Sequence, residues 1–336
     1  MAKKQTAFQV LLIVALVLSI CLALMMGRYT IPFEKLCRTI WAGLTQSTSA
    51  DNSVEYRVVF QLRLPRILLA ALTGMALSVS GAVLQGVFRN PLVGPSMIGV
   101  SSGASFGAVL GILLSLNAIV VMVFSFAGGI LSLLFTMSIA GKVGSKNILS
   151  IILGGIVTGA FFTALVSIVT FIADPRDTLP VIVYWLMGSF NGATMYKVLI
   201  LGSISLACFF IIFKSRYVIN LLALGDEEAS GLGVDVVRLR FLFLALTTLM
   251  TAAAVSVSGT IAWVGLVVPH IARLITGSDY RNLIVTSALI GAIYLVIADT
   301  LVRISSFGEV PIGILSAFVG APVLAYLIHT RKLNNK

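Results

Sequence analysis

Long apolar runs separated by short polar segments constrain this chain more than any other feature. Hydrophobic residues make up 59% of the 336 positions and charged residues 10%, and the mean hydropathy is +1.08. Soluble domains contain roughly 45–50% apolar and about 25% charged residues, so a soluble globular protein is excluded. A helix that crosses a bilayer needs roughly 20 mostly apolar residues and satisfies its own backbone hydrogen bonds. Because the runs lack a two-residue alternation, they predict transmembrane helices.

The runs predict an all-α, polytopic membrane protein with about ten transmembrane helices in a single domain over residues 1–336. We interpret the first run as an uncleaved span, because it exceeds the roughly 7–15 apolar residues of a signal peptide and no A-x-A site follows. The predicted spans are 8–27, 67–88, 94–114, 117–140, 148–172, 190–213, 241–261, 262–276, 282–301 and 311–330.

The basic residues indicate how these spans are oriented. The formal net charge is +11, from 23 lysines and arginines against 12 acidic residues. If the N-terminus is cytoplasmic, 14 of the 23 lie in inner segments, including Lys146 and Lys336, and the positive-inside rule favours both termini inside. A basic balance in short loops indicates membrane orientation and acidic partners rather than nucleic acid. The outer side keeps Arg28, Lys35, Arg38, Arg57, Arg63, Arg66, Arg176, Lys197 and Arg303.

Six of these nine outer residues lie in the segment 28–66, whose residues 30–44 predict an amphipathic helix on the outer surface. Thr30 would cap this helix and Pro32 would occupy its first turn. A loop over 45–53 would follow it. The predicted apolar face holds Phe33, Leu36, Ile40, Trp41 and Leu44.

A weak internal sequence repeat, which we call the echo motifs, predicts inverted structural repeats. Chance matching of small residues is the alternative. Val79-Ser80-Gly81 recurs as Val257-Ser258-Gly259, and Pro91 and Gly99 recur as Pro269 and Gly277. The predicted topology places the first copy on an inward-running span and the second on an outward-running one. Inverted repeats of this kind are typical of transporters.

Glycine spacing in the third predicted span indicates close helix packing. Glycine at every fourth position lets a neighbouring backbone approach. The same stretch has the form G-x-S-x-G around Ser101, but a nucleophile elbow needs a strand-turn-helix context. His270 has no triad spacing around it, so a membrane-embedded hydrolase is disfavoured. The packing glycines are Gly99, Gly103, Gly107 and Gly111.

Charge within the predicted spans is sparse. Asp299 and Arg303 lie one helical turn apart near the outer end of the ninth span, where an i,i+4 pair can form. No carboxylate chain runs to the bilayer centre, which disfavours an ion-coupled secondary transporter. Three cysteines and two histidines suit neither a disulfide framework nor a zinc site, and no cofactor is expected.

The largest inner loop, residues 214–240, predicts a docking surface, with a merely solvated loop as the alternative. Gly225 would end one short helix, and a second would begin with three acidic residues, which suit the positive end of a helix. The residues assigned to this surface are Leu224, Gly225, Asp226, Glu227, Glu228, Ala229, Gly231, Leu232 and Gly233.

Motifs distributed from about residue 8 to residue 330 carry a resemblance. The first block holds Leu62-Arg63-Leu64-Pro65-Arg66, Ser80-Gly81 with Gln85, and Asn90-Pro91-Leu92. The second holds Ala223-Leu224-Gly225, Leu232-Gly233, and Gly265 through His270 with Arg273. Ala298-Asp299, Glu309 through Gly313 and Gly320-Ala321-Pro322 complete the set. The chain resembles the iron-chelate and cobalamin (FecCD) family of ABC-importer permeases.

The resemblance implies an assembly in the bacterial cytoplasmic (inner) membrane. A second permease copy or a paralogue would pair with the chain among the membrane lipid, with two ATP-binding subunits beneath and an extracytoplasmic substrate-binding protein above. By position, Arg63, Arg66 and Arg303 would meet acidic residues of the binding protein, and the loop around Gly225 to Gly233 would seat in the ATP-binding subunit. An outer positive cluster also suits the steering of an acidic partner on physical grounds, the alternative being arginines that snorkel at a span end.

The expected function follows from the resemblance together with the absence of a phosphate-binding loop. No G-x-x-x-x-G-K-[ST] motif occurs, so the chain is not expected to be an enzyme, and a separate subunit would hydrolyse ATP. The expected cargo is a metal chelate, with a ferric siderophore first and haem or cobalamin as alternatives.

Overall fold

The computed structural model describes residues 2–45, 53–144, 148–305 and 310–334. Lys146 and Lys336 of the orientation argument, Glu309 of the motif set and most of the predicted loop over 45–53 lie outside these residues. Within the described part of the chain, every regular element is helical. The fourteen α-helices are α1 (Ala2–Met25), α2 (Phe33–Leu44), α3 (Val54–Tyr56), α4 (Leu64–Val87), α5 (Val100–Leu113), α6 (Ala118–Gly144), α7 (Ile148–Ile172), α8 (Thr178–Leu186), α9 (Met195–Leu224), α10 (Asp226–Gly231), α11 (Val236–Ser258), α12 (Val264–Thr276), α13 (Tyr280–Ile304) and α14 (Ile312–Asn334).

Ten apolar helices correspond to the ten predicted spans, which confirms the fold class. Seven helical segments in the described chain are long and apolar enough to cross a membrane, and α5, α12 and the first part of α14 are shorter apolar helices. The helix that contains α4 is longer than predicted. It runs from Val54 through a π-helical stretch, Arg57–Arg63, to Val87, whereas the prediction began at residue 67.

Helix α4 lies at the centre of the bundle and packs against α9, α11, α12 and α13. Glycines make this packing close, because they let backbones meet without an intervening side chain. A Cβ at Gly74 would collide with the carbonyl of Gly291 in α13, and one at Gly81 would collide with the carbonyl of Gly265 in α12. The most hydrophobic stretch of the Val54–Val87 segment is 78% buried, against 17% in α1. Helix α1 therefore presents an apolar surface suited to lipid, and α4 forms the core.

The predicted glycine ridge brings α5 against α6. Atoms of Gly128, Phe124 and Val121 would meet a Cβ added at Gly103, Gly107 and Gly111, respectively. Gly99 differs from the other three, since it precedes α5 in the left-handed conformation (φ 82°) and faces Thr158 and Gly159 of α7.

The two ends of the bundle are distinguished by contacts between helices. Gln5 at the start of α1 donates to the Thr276 carbonyl and accepts from Asn282, so the N-terminus shares a side with the end of α12. Arg89, which follows α4, pairs with Asp226 at the start of α10 on this same side. We call this side the α10 face, and the opposite side the arginine face.

The echo motifs do not occupy equivalent places in the structure. Helices α4 and α11 do run in opposite directions, as an inverted repeat requires, since Arg89 follows α4 on the α10 face and α11 begins there. However, Gly81 lies within α4, whereas Gly259 follows the last residue of α11. The Val-Ser-Gly copies therefore lie at different positions within their helices, and the inverted repeat stays a prediction.

The amphipathic helix α2 begins later than predicted. Pro32 occupies the N-cap position and no side chain caps the helix, so the predicted capping role of Thr30 is wrong. The apolar face is divided: Leu36 is buried against the bundle, while Phe33 and Trp41 are exposed. Such a divided face is typical of a helix at a membrane surface.

Candidate functional site

A buried carboxylate on the arginine face holds two of the three predicted arginines. Arg66 Nε lies 2.8 Å from Asp299 Oδ1, and Arg303 Nε lies 3.0 Å from Asp299 Oδ2. The Asp299 side chain is 1% exposed, and those of Arg66 and Arg303 are 12% and 10% exposed. The sequence predicted the pair within α13, but not the contact with Arg66, which lies 233 positions away.

Arg63 has a different environment from the other two. Its Nη1 donates to the carbonyls of Leu24 (2.6 Å) and Met25 (3.2 Å), and its Nη2 donates to the carbonyl of Tyr29. These acceptors include carbonyls that the end of α1 leaves without helical partners. Gly27 has a φ of 155° and a Cβ there would contact the guanidinium. The buried Arg63 therefore anchors α1 to α4, a role that the sequence did not predict.

The three predicted arginines share one cleft of about 330 Å³ on the arginine face. Arg28 adds a fourth guanidinium to its lining. Four cations around a small cleft raise the local positive potential and favour the binding of an anionic group. The other lining residues are Gly27, Tyr29, Val58, Leu62, Phe190, Asn191, Gly192, Ala193 and Val302.

Beside this cleft lies a larger cavity of about 510 Å³, bordered by α8, which we call the α8 cavity. Helix α8 was missed at the sequence level, although Asp177 before a mostly apolar segment of nine residues is a usable start signal. Asn191 lines both spaces: it accepts from Arg66 at 3.4 Å and donates to the Tyr184 hydroxyl at 3.5 Å. The polar lining of the α8 cavity comprises Ser115, Asp177, Thr178, Tyr184, Ser189, Asn191, Lys197, Ser256 and Ser258.

On the α10 face, the predicted 214–240 loop has a simpler structure than expected. The first of the two predicted short helices is the continuous end of α9, and only α10 is a separate short helix. Gly225 forms the break between them, with φ 148° and ψ 159°. A Cβ at this position would collide with the carboxylate of Glu228.

Helix α10 has one buried and several exposed positions. Ala229 is fully buried, whereas Leu224 and Leu232 are each 62% exposed on either side of the helix. Glu227 and Glu228 are exposed, and added Cβ atoms at Gly231 and Gly233 would meet nothing within 4 Å. Two exposed leucines beside carboxylates and open glycine backbone suit contact with another protein.

Asp226 differs from its acidic neighbours because it faces the bundle. Both of its oxygens accept from Arg240 Nη2 at 2.8 Å, and Arg89 Nη2 lies 3.3 Å from Oδ1. The roles of Arg89 and Arg240 were missed at the sequence level, because neither stands in a motif with Asp226.

Further polar contacts tie the helices of the α10 face together. Asn220 of α9 donates to Asp279 at 2.8 Å and accepts from the Tyr280 backbone N–H at 2.9 Å. Hydrogen bonds from Arg281 hold the pKa of Asp279 down at about 2, against partial burial, which raises it. Arg273 of α12 donates to Gln85 of α4 and to the Tyr280 hydroxyl, each at 3.2 Å.

Comparison with known proteins shows which family the chain is similar to. The model of the FecCD transport family matches residues 15–330. The molybdate import system permease protein of Haemophilus influenzae is 39% identical over 320 residues, covering 94% of each chain. A Helicobacter pylori protein described as an iron chelatin transport system permease is 39% identical over 272 residues, covering 81% of this chain and 82% of that protein. A structure described as an inward-facing conformation of a metal-chelate type ABC transporter superposes with a TM-score of 0.87 at 36% identity, covering 97% and 99% of the two chains.

A family match over most of the chain agrees with the ten apolar helices and with the absence of a phosphate-binding loop from the sequence. The chain belongs to the FecCD transport family and is the membrane-embedded permease subunit of an ABC importer.

Proposed function

We propose that this permease moves a metal chelate, of the ferric siderophore class, into a bacterial cytoplasm by alternating access. One observation carries the proposal: the two candidate docking surfaces lie at opposite ends of the same buried helix. Arg66 stands at the start of α4 on the arginine face, and Arg89 follows its end and contacts α10. A protein that binds on one face and a protein that binds on the other can therefore act on one continuous element.

The arginine face is the proposed receiving surface for an extracytoplasmic substrate-binding protein. Acidic side chains of that protein would approach the cleft and be attracted by the charges of Arg66 and Arg303, whose Nε atoms already pair with Asp299. Arg63 is the third proposed docking arginine. Because its N–H groups already donate to backbone carbonyls, it would contribute through its positive charge. Long-range attraction of this kind increases the association rate and declines with salt.

The α10 face is the proposed seat of two ATP-binding subunits, one under each permease of a dimer with a second copy or a paralogue. Leu224 through Gly233 would enter a cleft in each subunit, with the two exposed leucines as apolar contacts. Under this assignment the N-terminus is cytoplasmic, since the start of α1 lies on this face, and the positive-inside rule favours a cytoplasmic C-terminus as well.

The lining of the α8 cavity supports an organic chelate over a bare oxyanion. Lys197 is the cavity's lysine and its Nζ donates to the Gly192 carbonyl at 3.0 Å, while Asp177 contributes the opposite charge. Hydroxyl, amide and aromatic groups make up most of the remaining polar lining, which suits a bulky chelate held by weak contacts. Molybdate is the second candidate, favoured by the 39% identity with the Haemophilus influenzae permease.

Uptake into liposomes tests the proposed function. The permease is reconstituted with its ATP-binding subunit and binding protein and offered ferrichrome, haemin, cobalamin or molybdate. ATP-dependent accumulation of ferrichrome is expected. Accumulation of molybdate alone would replace the chelate assignment by an oxyanion, and uptake without the ATP-binding subunit would refute the importer mechanism.

Docking is tested separately with a matched pair of arginine variants. Arg66→Gln should weaken binding of the substrate-binding protein, and the loss should be largest at low salt. Arg57→Gln removes the same charge from an exposed position that does not line the cleft, and should leave binding nearly unchanged. Equal effects of the two variants would count against a specific role of the cleft.

A further inference from the structure

The side chain of Asp226 is directed into the permease, although it belongs to the surface that the sequence assigned to the ATP-binding subunit. Its carboxylate contacts two arginines from two different places in the fold. Arg240 lies in the second turn of α11, and Arg89 follows the end of α4. The N···O distances are 2.8 Å to each oxygen for Arg240 and 3.3 Å for Arg89. One carboxylate therefore joins α10 to two membrane-spanning helices.

The two arginines are held differently, since the Arg89 side chain is 38% exposed and its position is set through the backbone. The Arg240 side chain is 3% exposed, so its charge depends on a carboxylate partner in place of water. Arg89 adopts a left-handed backbone conformation (φ 52°), which is uncommon outside glycine and turns the chain sharply after α4. Its backbone N–H donates to the Gly86 carbonyl at 3.1 Å, which keeps this turn continuous with the helix.

The two helices that Asp226 reaches are the most buried long segments of the described chain. The most hydrophobic stretches of the segment containing α4 and of α11 are each 78% buried. Ser80 of α4 donates to the Thr247 carbonyl of α11 at 3.3 Å, so the two helices are also joined midway. Helix α11 then continues to Ser256 and Ser258, which line the α8 cavity on the arginine face.

We propose that Asp226 is a positioning residue that clamps α10 to α4 and α11, so that displacement of α10 moves both helices together and reaches the α8 cavity. The inference rests on the proposed coupling of α10 to an ATP-binding subunit. The three consecutive acidic residues then have different roles, since Glu227 and Glu228 face outward toward a partner and Asp226 transmits the displacement inward.

A cysteine reporter tests this clamp without knowledge of the cargo. Ser256→Cys is introduced where Cys21, Cys37 and Cys208 have been replaced by serine, and the permease is purified with its ATP-binding subunit. A membrane-impermeant maleimide then labels the reporter in liposomes from the arginine face, with and without ATP plus vanadate. Coupling predicts that nucleotide changes the labelling rate, because Ser256 lines the α8 cavity and is nearly buried.

The isosteric variant Asp226→Asn removes the charge of the clamp. We expect the nucleotide-dependent change in labelling to be lost, while the ATP-binding subunit still co-purifies and ATP hydrolysis continues. Asp226→Glu should restore part of the nucleotide-dependent change in labelling. Arg89→Gln removes only the contact with the residue after α4, and should reduce that change without abolishing it. Asp235→Asn is the matched control on the same face: its carboxylate pairs with the exposed Arg238, asparagine can still cap α11, and the nucleotide-dependent change in labelling should persist.

The possible outcomes separate the clamp from the proposed function. A full nucleotide response in Asp226→Asn would overturn the clamp, and so would loss of the ATP-binding subunit from that variant, since Asp226 would then be a contact residue. Absence of any nucleotide response with Asp226 intact would overturn the proposed coupling itself.

Discussion

Asp299→Asn is the substitution expected to cost most stability on the arginine face. The variant keeps the shape of the side chain but removes the negative charge that faces Arg66 at 2.8 Å and Arg303 at 3.0 Å. With the carboxylate 1% exposed and its partners 12% and 10% exposed, water cannot replace the lost partner. Breaking a buried pair of this kind costs about 3–5 kcal/mol, because a buried charge is left uncompensated.

The measurement is thermal unfolding of the purified permease in detergent, with an exposed ion pair as the internal comparison. Glu34→Gln removes a carboxylate that lies 2.6 Å from Arg38, but both side chains are at least 75% exposed. Exposed pairs contribute little, so its melting temperature should hardly change, whereas that of Asp299→Asn should fall by several degrees. Equal melting temperatures for the two variants would refute the assignment of Asp299 as the shared buried anion.

Three further predictions concern other parts of the molecule. Gly81→Val should destabilise the bundle by about 1–3 kcal/mol or more in thermal unfolding, since a Cβ there collides with the Gly265 carbonyl; Gly159→Ala, whose nearest neighbouring atoms lie 3.9 Å away, should be tolerated. Because the pKa of Asp279 is lowered to about 2 from 3.8, its contribution to stability is present above about pH 4 and is lost as the pH falls through 2. The melting-temperature difference between the wild type and Asp279→Asn should therefore narrow from pH 7 to pH 3, and a constant difference would contradict this. Leu232→Asp should weaken retention of the ATP-binding subunit in pull-down by about tenfold or more, since burying a leucine contributes roughly 1.5–3 kcal/mol. Retention equal to that of the wild type would show that Leu232 is not part of the proposed interface.

Local features of the sequence predicted the helices well. The span over residues 148–172 coincides with α7, because a long apolar run bounded by polar residues specifies a helix in lipid without reference to the rest of the chain. Helix α8 was missed, because a mostly apolar segment of nine residues is too short to span a membrane. The early start of the α4 segment was missed because Arg57 and Arg63 interrupt its hydropathy, although Arg63 is buried by α1.

The sequence identified residues of the candidate sites but did not predict which contacts each of them makes. The sequence drew attention to Arg63, Arg66 and Arg303 as an unexpected outer cluster, and the structure places them in one cleft. It did not distinguish Arg63, which donates to three backbone carbonyls, from Arg66 and Arg303, which share the Asp299 carboxylate. Similarly, the three acidic residues after Gly225 were equivalent in sequence, and the structure pairs Asp226 with two arginines, the buried Arg240 and the more exposed Arg89.

By itself, the sequence determined that the chain is a membrane protein with ten apolar runs that form helices, because hydropathy along a run favours a helix in lipid without reference to the rest of the chain. The tertiary structure alone decided the partners that lie far apart in the sequence. Arg63 reaches Leu24 across 39 positions, and Arg66 reaches Asp299 across 233. Such contacts depend on how the helices pack around α4, where glycines allow their backbones to approach closely. Because the side chains there are shielded from water, hydrogen bonds and ion pairs between them are stronger than at an exposed surface.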